Sequence, residues 1–301
     1  MRRRTLLIVA GLACVAALGV VAAVALASGG GGSVTPRYAV ATGGLQRLDP
    51  GADAVPATVA ATPAPTATAQ PAPTTTAAPT AAPLAGKVVA IDPGHNGGNG
   101  SHPSEINRLV DIGNGHKACD TAGAETAGGY AEAEYNLDVG LRVRRILKKA
   151  GAKVVMTRKT NDGVGPCITV RAAIGNRAGA DAAVSIHADG GPSSGRGFHV
   201  IYPASLPGLT AAIAASSRRL AVDLRAAYEA GTGMPRADYI ASDGLDRRSD
   251  LGGLNLSKVP KVFIETGNMN NATDASKLTD PAFRERAAKA IAAGIERFLE
   301  G

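Results

Sequence analysis

The segment KVVAIDPGHNGG, residues 87–98, joins a short apolar run to a turn rich in proline and glycine. Continuous apolar runs with β-branched residues are typical of buried strands, and the DPG sequence marks the end of such a strand. The turn presents a histidine, His95, directly after the predicted strand. The fold must therefore be worked out to learn which side chains it brings to His95.

Four further apolar runs follow in the chain: KVVMT, AAVSI, FHVIY and KVFIE. Between them, residues 135–150 and 210–231 carry apolar residues at helical spacing, and Gly151 is the expected stop of the first helix. A last helix is predicted to begin at Asp280 as N-cap with Pro281 as its first residue. Strands alternating with helices predict a single α/β domain, in which helices cover both faces of a twisted, mostly parallel sheet.

The chain before this domain has a different composition. Residues 1–28 begin with basic residues and continue with a long apolar stretch that ends in ALA before Ser28, which predicts a signal peptide or a membrane anchor. Residues 29–85 are rich in proline, alanine and threonine and predict a disordered linker. Residues 86–301 then form the catalytic domain. Both cleavage and retention of the apolar stretch stay open, and export is expected in either case.

The charge balance gives no support to one class of partner. The chain has 32 Lys and Arg against 25 Asp and Glu, a formal net charge of +7, without a basic run flanked by aromatic residues. Nucleic-acid binding is therefore unsupported. A weak basic bias suits an acidic polymer such as a cell envelope, although an ordinary solvated surface explains the same bias.

The exported part contains two cysteines, Cys119 and Cys167. In an oxidising compartment a lone pair of cysteines predicts a disulfide, and two free buried thiols are the alternative.

Residues that could bind a metal or catalyse a reaction lie mainly at the predicted strand ends, where sites form in open α/β sheets. His95 follows the first run, His187 follows AAVSI, Glu265 ends KVFIE, and Glu132 precedes a helix, with Glu134 as its rival. Two histidines and a carboxylate with an open fourth position are a catalytic zinc arrangement, and a further glutamate could serve as general base. Each residue alone also has an ordinary structural explanation, such as a turn, a core histidine or a helix cap. Composition and spacing therefore leave the zinc site as one of two open alternatives.

Four motifs resemble, in order, those of the zinc-dependent N-acetylmuramoyl-L-alanine amidases of family 3, which are cell-wall amidases. They are KVVAIDPGHNGG, EAEYNLDVGLRV, the stretch from VVMTRKTND to VRAAIGNRAGADAAVSIHAD, and VPKVFIETGNMNN, and they cover nearly all of residues 87–299. The resemblance implies one zinc ion held by His95, Glu132 and His187, with Glu265 as the catalytic glutamate.

The same resemblance orders the remaining candidates. It selects Glu132 over Glu134, because the family's glutamate stands four residues before the asparagine that is Asn136 here. Recurrent positions near the family's site are matched by Arg158, Arg171, Asn176 and Ser185. A structural role is favoured for Arg171 and Asn176, and Arg171 is kept with Asn268 as a candidate substrate contact. Asn268 departs from the family, which usually has phenylalanine after ETG.

Three histidines are not assigned to zinc. His102 and His116 lie in predicted loops, where surface solvation is the default. His199 alternates with apolar neighbours in GFHVIY and is expected to point away from the core.

The resulting hypothesis is an exported zinc amidase, expected to be a monomer, whose partner is peptidoglycan. It would hydrolyse the amide between N-acetylmuramic acid and L-alanine, for cell-wall remodelling or cell separation, either secreted or anchored by its N-terminal segment. One alternative is a zinc peptidase acting on peptidoglycan stem peptides. Another is a catalytically inert peptidoglycan-binding or activator protein.

Overall fold

The computed structural model of the chain describes residues 82–301. The strands are β1 (Val88–Pro93), β2 (Leu109–Asp111), β3 (His116–Ala118), β4 (Lys153–Met156), β5 (Ala182–Asp189), β6 (His199–Pro203), β7 (Leu245–Arg248) and β8 (Lys261–Asn268). The helices are α1 (Pro103–Ile106), α2 (Glu132–Lys149), α3 (Ile168–Arg177), α4 (Ala214–Thr232), α5 (Gly252–Asn255), α6 (Ala272–Leu278) and α7 (Pro281–Glu300), and a 3-10 turn spans Asn99–Ser101.

Six strands form one sheet in the order β4-β1-β5-β8-β6-β7. All neighbouring pairs are parallel except β6 with β8, which is antiparallel, so the predicted mostly parallel sheet is confirmed. Strands β2 and β3 form a separate antiparallel hairpin. Because β1, β5 and β8 run in the same direction, their carboxyl ends meet at one edge of the sheet.

Helices cover both faces of this sheet, as predicted. Helices α2, α4 and α7 pack together on one face, and α3 and α5 contact the other. The apolar residues that recur at helical spacing along α2 pack against the core. Four of them are fully enclosed: Tyr135, Val139, Val143 and Leu147. The predicted cap of α7 is also present, because the Asp280 carboxylate accepts from the backbone N–H groups of the helix's first turn.

Several elements have no strong local signal and are absent from the sequence-based prediction. Strand β7 reads LDRR, and the β2–β3 hairpin is short and largely exposed, so neither shows an apolar run or a clean alternation. Helix α3 has little amphipathic contrast between its sides. These elements form because the neighbouring parts of the fold give them partners.

The packed structure extends into the end of the predicted linker. Leu84, placed by sequence in the linker of residues 29–85, is fully buried in the core, and its N–H donates to the Ala150 carbonyl at 2.8 Å. The packed structure thus includes Leu84 from the predicted linker, because this apolar residue belongs to the main hydrophobic core. The predicted signal or anchor of residues 1–28 lies outside the described residues. Among residues 82–301, no helix combines the length and apolarity needed to cross a membrane.

A disulfide joins Cys119 and Cys167, whose Cα atoms lie 4.5 Å apart. The bond ties the loop before α2 to the residue that precedes α3. This loop and this helix both contribute to the site described next.

Candidate metal centre and cleft

His95, Glu132 and His187 converge at the edge of the sheet. The Glu132 Oε1 atom lies 3.2 Å from His95 Nε2 and 2.9 Å from His187 Nδ1, and the two imidazole centroids are 4.8 Å apart. One potential ligand atom from each residue lies within 4.8 Å of the others. Residues far apart in the chain thus form the cluster that the sequence predicted.

The backbone conformation of the DPGH turn determines where the His95 side chain lies. Gly94 crosses directly over the His187 ring, and a Cβ atom at Gly94 would overlap the imidazole. His95 then adopts a left-handed conformation, with φ of 55°, which few residues other than glycine take. Backbone strain of this kind concentrates at functional sites. The glycine and the left-handed residue together let β1 end with its histidine facing the second one.

Glu132 is held by the start of α2. It is the first residue of this helix, where the helix dipole favours a negative charge. Its Oε2 accepts from the Ala124 N–H at 2.8 Å, and its Oε1 accepts from Asn136 Nδ2 and the Ala188 N–H at 3.2 Å each. The carboxylate is therefore orientated from several sides.

The other ring nitrogen of His95, Nδ1, also has hydrogen-bonding partners. His95 Nδ1 lies 3.0 Å from the Thr121 carbonyl oxygen and 3.3 Å from Asp120 Oδ1. Asp120 in turn accepts from Arg171 at 2.9 Å. Metal-binding histidines commonly have the second ring nitrogen held by a carbonyl or carboxylate, which leaves the first free for the metal. Asp120 has no motif of its own that would have revealed this role from the sequence.

The electrostatics of the cluster are dominated by its carboxylates. Burial lowers the pKa of the His95 imidazole, but Glu132 and Asp120 outweigh this and raise it to about 10. Burial raises the pKa of Glu132, but the two imidazoles outweigh this and hold it well below its usual range. A site that stabilises positive charge so strongly suits a cation. Two imidazoles and one carboxylate are a donor set that fits zinc with a coordination position left open.

Glu265 lies in the same cleft. It stands on β8 opposite His187 of β5, and it lines a cavity of about 660 Å³ together with His95, Glu132 and His187. Its Oε2 atom is buried and has no hydrogen-bond partner among the described residues. Burial, with Glu132 and Asp189 nearby, raises the pKa of Glu265 well above its usual range. A buried carboxyl group with a raised pKa is suited to accepting and then releasing a proton during a reaction.

A second, smaller pocket opens on the same two histidines. Its volume is about 230 Å³, and its walls are mainly apolar, with Ile168, Leu251 and Phe263 among them. The Phe263 ring stacks on the His187 imidazole with the centroids 5.3 Å apart. The cluster thus lies between a wide polar cleft and a narrower apolar pocket.

The two predicted substrate contacts are buried side chains that form hydrogen bonds within the protein. Arg171 is buried and donates to Asp92 at 3.0 Å and Asp120 at 2.9 Å. Asn268 is fully buried, and its side-chain amide donates to two backbone carbonyls at 2.8 Å each. Both side chains thus help to hold the loops around the site, and Arg171 also lines the smaller pocket.

His102 and His116 are exposed as predicted, although His116 begins strand β3 and does not lie in a loop. His199 points away from the core residues Val200 and Ile264, as expected, but it is buried nonetheless. His199 is only 2% exposed and lies on the sheet face that carries Glu265. The alternation in GFHVIY is visible in the sequence, but which face is covered depends on the neighbouring strands and loops. Here the face that carries His199 is covered as well.

Comparisons with known proteins agree with this site. Residues 89–297 match the family model Amidase_3, described as N-acetylmuramoyl-L-alanine amidase. The chain is 42% identical over 221 residues to N-acetylmuramoyl-L-alanine amidase Rv3717 of Mycobacterium tuberculosis, covering 73% of this chain and 89% of the relative. The crystal structure of the N-acetylmuramyl-L-alanine amidase Ami1 from Mycobacterium smegmatis aligns with a TM-score of 0.68 and 43% identity, over 72% of this chain and 98% of that one. The amidase AmiC2 of Nostoc punctiforme aligns with a TM-score of 0.54 and 27% identity, over 72% and 99% of the chains.

Proposed function

This chain belongs to the Amidase_3 family and is an N-acetylmuramoyl-L-alanine amidase, and from this premise we propose that its hydrolysis of peptidoglycan depends on one zinc ion. The bond is the amide between the lactyl carboxyl of N-acetylmuramic acid and the amino group of L-alanine. The observation that carries the proposal is the convergence of His95, Glu132 and His187 in a cleft that also contains Glu265.

His95, Glu132 and His187 are the proposed ligands. When bound, zinc acts as a Lewis acid on the carbonyl oxygen and lowers the pKa of water toward neutrality. The surrounding residues hold the ligands in place: the Thr121 carbonyl and Asp120 orientate His95, and backbone N–H groups orientate Glu132. This preorganisation keeps the three donors aimed at one point before the ion arrives.

Glu265 is the proposed catalytic glutamate. Its carboxylate takes the proton from the attacking water as the new C–O bond forms at the amide carbon. It then delivers that proton to the amine of L-alanine as the C–N bond breaks, so one residue serves as base and then as acid. The position of Glu265 in the cleft and its raised pKa support both steps.

We place this reaction outside the cytoplasm, in cell-wall remodelling or cell separation. The disulfide between Cys119 and Cys167 supports an oxidising compartment. The basic and apolar start of the chain supports export, by a cleaved signal or a retained anchor in residues 1–28 followed by the linker. The protein is proposed to act as a monomer.

The test is product analysis with the full chain on purified muropeptides. An amidase releases intact stem peptides with a free alanine amino group, whereas a stem-peptide peptidase releases shortened peptides. The Glu265→Gln variant should lose about 10²-fold to 10⁴-fold in turnover and keep one equivalent of zinc.

Glu134→Gln is the matched control. Glu134 is exposed on the same first turn of α2 as Glu132, so the variant should keep normal turnover. Near-normal turnover by Glu265→Gln would contradict the assigned role of Glu265. Zinc-free protein with full activity would contradict the proposed cofactor.

A further inference from the structure

His199 is a buried histidine that the proposed mechanism leaves unused. Its side chain is almost completely enclosed, and its Nδ1 atom has no hydrogen-bond partner among the described residues. An unpaired buried polar atom costs about 1–3 kcal/mol, so such an atom in a folded protein needs an explanation.

The sheet register places His199 beside Glu265. Strands β6 and β8 are antiparallel, and His199 lies directly opposite Glu265. Directly opposed residues share a sheet face, with Cβ atoms about 4.5–5.5 Å apart. Their neighbours Val200 and Ile264 lie in the hydrophobic core on the opposite face, which is consistent with this placement. Glu265 also lies opposite His187, so His187, Glu265 and His199 form a cross-strand row over β5, β8 and β6.

The unpaired atoms of the two neighbours are complementary. Glu265 Oε2 is buried without a partner and can accept a hydrogen bond, and an imidazole nitrogen can donate one. Burial lowers the pKa of His199, although Asp189 and Asp246 act against this. A neutral imidazole still has one N–H to donate, so a hydrogen bond between the pair would satisfy both atoms.

Tyr239 does not compete for this bond. Its ring packs edge-on against His199 with the centroids 6.5 Å apart, and its hydroxyl already donates to Asp189 Oδ2 at 2.9 Å. The aromatic ring therefore helps to enclose the imidazole, and Glu265 remains the neighbour on the same face with an unused acceptor.

The two groups are neighbours, but they are not hydrogen-bonded to each other in this structure. We propose that His199 is a positioning residue, whose ring N–H turns to donate to the Glu265 carboxylate in the working enzyme and holds it toward the cleft. The proposal rests on the proposed function, in which Glu265 transfers the proton. A bond to Oε2 leaves the other carboxylate oxygen free to take the proton from water. Without this bond the carboxylate samples other rotamers, so fewer enzyme–substrate complexes are productive while substrate binding is unchanged.

The experiment compares two substitutions of similar shape in the full, zinc-loaded chain. His199→Leu removes the donor, and His199→Asn restores one on a side chain of nearly the same size. His199→Leu should lower kcat on a defined muropeptide by about 10-fold to 100-fold, with KM and zinc content within about twofold of the parent protein. His199→Asn should recover a substantial part of kcat. His102→Leu, at an exposed histidine that does not line the cleft, is the control and should leave kcat unchanged.

A double substitution separates this proposal from the proposed function. Because His199 acts through Glu265, adding His199→Leu to Glu265→Gln should not reduce the residual rate further. Equal losses in both backgrounds, or a kcat for His199→Leu within about twofold of the parent protein, would overturn the positioning role. Normal turnover by Glu265→Gln alone would instead refute the role of Glu265 itself.

A crystal structure of the parent protein provides a measurement that needs no variant. A distance of about 3.2 Å or less between a His199 nitrogen and a Glu265 oxygen would support the hydrogen bond. A separation above about 4 Å with the metal bound would overturn the proposal, even if the buried variants fail to fold.

Discussion

Substitution of Gly94 by alanine should damage the metal site without removing any ligand. The Cβ atom that this change adds would stand 2.6 Å from His187 Nδ1 and closer still to two other ring atoms, where an ordinary contact is at least 3.4 Å. The ring must therefore shift by about 0.8 Å or more, whereas metal–ligand distances tolerate only about 0.2 Å. Neither the His187 ring nor the Gly94 backbone can move freely to relieve this clash. His187 is held by Glu132 and stacked on Phe263, and the Gly94 N–H donates to the Ile186 carbonyl.

The assay is zinc affinity, measured by competition with a chromogenic chelator, together with dye release from purified sacculi. Gly94→Ala should weaken zinc binding by at least about 10-fold to 100-fold and reduce turnover in the same proportion. Gly100→Ala is the matched control in the same loop, because its added Cβ would meet only the Ala122 methyl group at 3.9 Å. If Gly94→Ala bound zinc as tightly as the parent protein, the inferred crowding over His187 would be refuted.

Three further perturbations test other parts of the structure. Replacing Cys119 and Cys167 together by alanine should lower the free energy of unfolding by about 4 kcal/mol, from the 48-residue separation of the disulfide; an unchanged urea midpoint would contradict this. Burial raises the pKa of the Asp92 carboxyl, but Lys261 and Arg171 outweigh burial and hold this pKa well below its usual range. The ionised carboxylate therefore stabilises the fold fully above about pH 4, and this stabilisation declines as the pH falls further. Asp92→Asn should therefore cost about 3–5 kcal/mol at about pH 7 and less at about pH 3, and urea unfolding at both pH values tests this. Chelation of the proposed zinc should lower Tm by about 5–10 °C in thermal scans, with restoration by added zinc; an unchanged Tm would argue against a tightly bound ion.

The sequence predicts best those features that depend on neighbouring residues. Strand β1 is visible as an apolar run ending in DPG, and the start of α7 as an Asp-Pro pair, because burial patterns and caps are local. The sequence does not predict strand β7 or the packing of Leu84, because both depend on residues that are distant in the chain. Each is stabilised by partners elsewhere in the chain that no local pattern reveals.

Some residues of the candidate site can also be predicted from the sequence, and others cannot. His95, His187 and Glu265 can be proposed as a group from sequence, because each follows or ends a predicted parallel strand and such ends share one edge of a sheet. The choice of Glu132 over Glu134 needs the family resemblance. The structure gives the physical basis, since Glu132 is buried against both imidazoles and Glu134 is exposed.

The sequence by itself determined the α/β class, the order of the main strands and helices along the chain, and the side chains available for metal binding. Those features follow from periodicity, from caps and from residue chemistry. Only the tertiary structure decided the strand order in the sheet, the antiparallel placement of β6, and hence the position of His199 opposite Glu265. The physical reason is that register between distant strands is set by long-range packing and hydrogen bonding, and a one-residue slip would move every side chain of a strand to the other face.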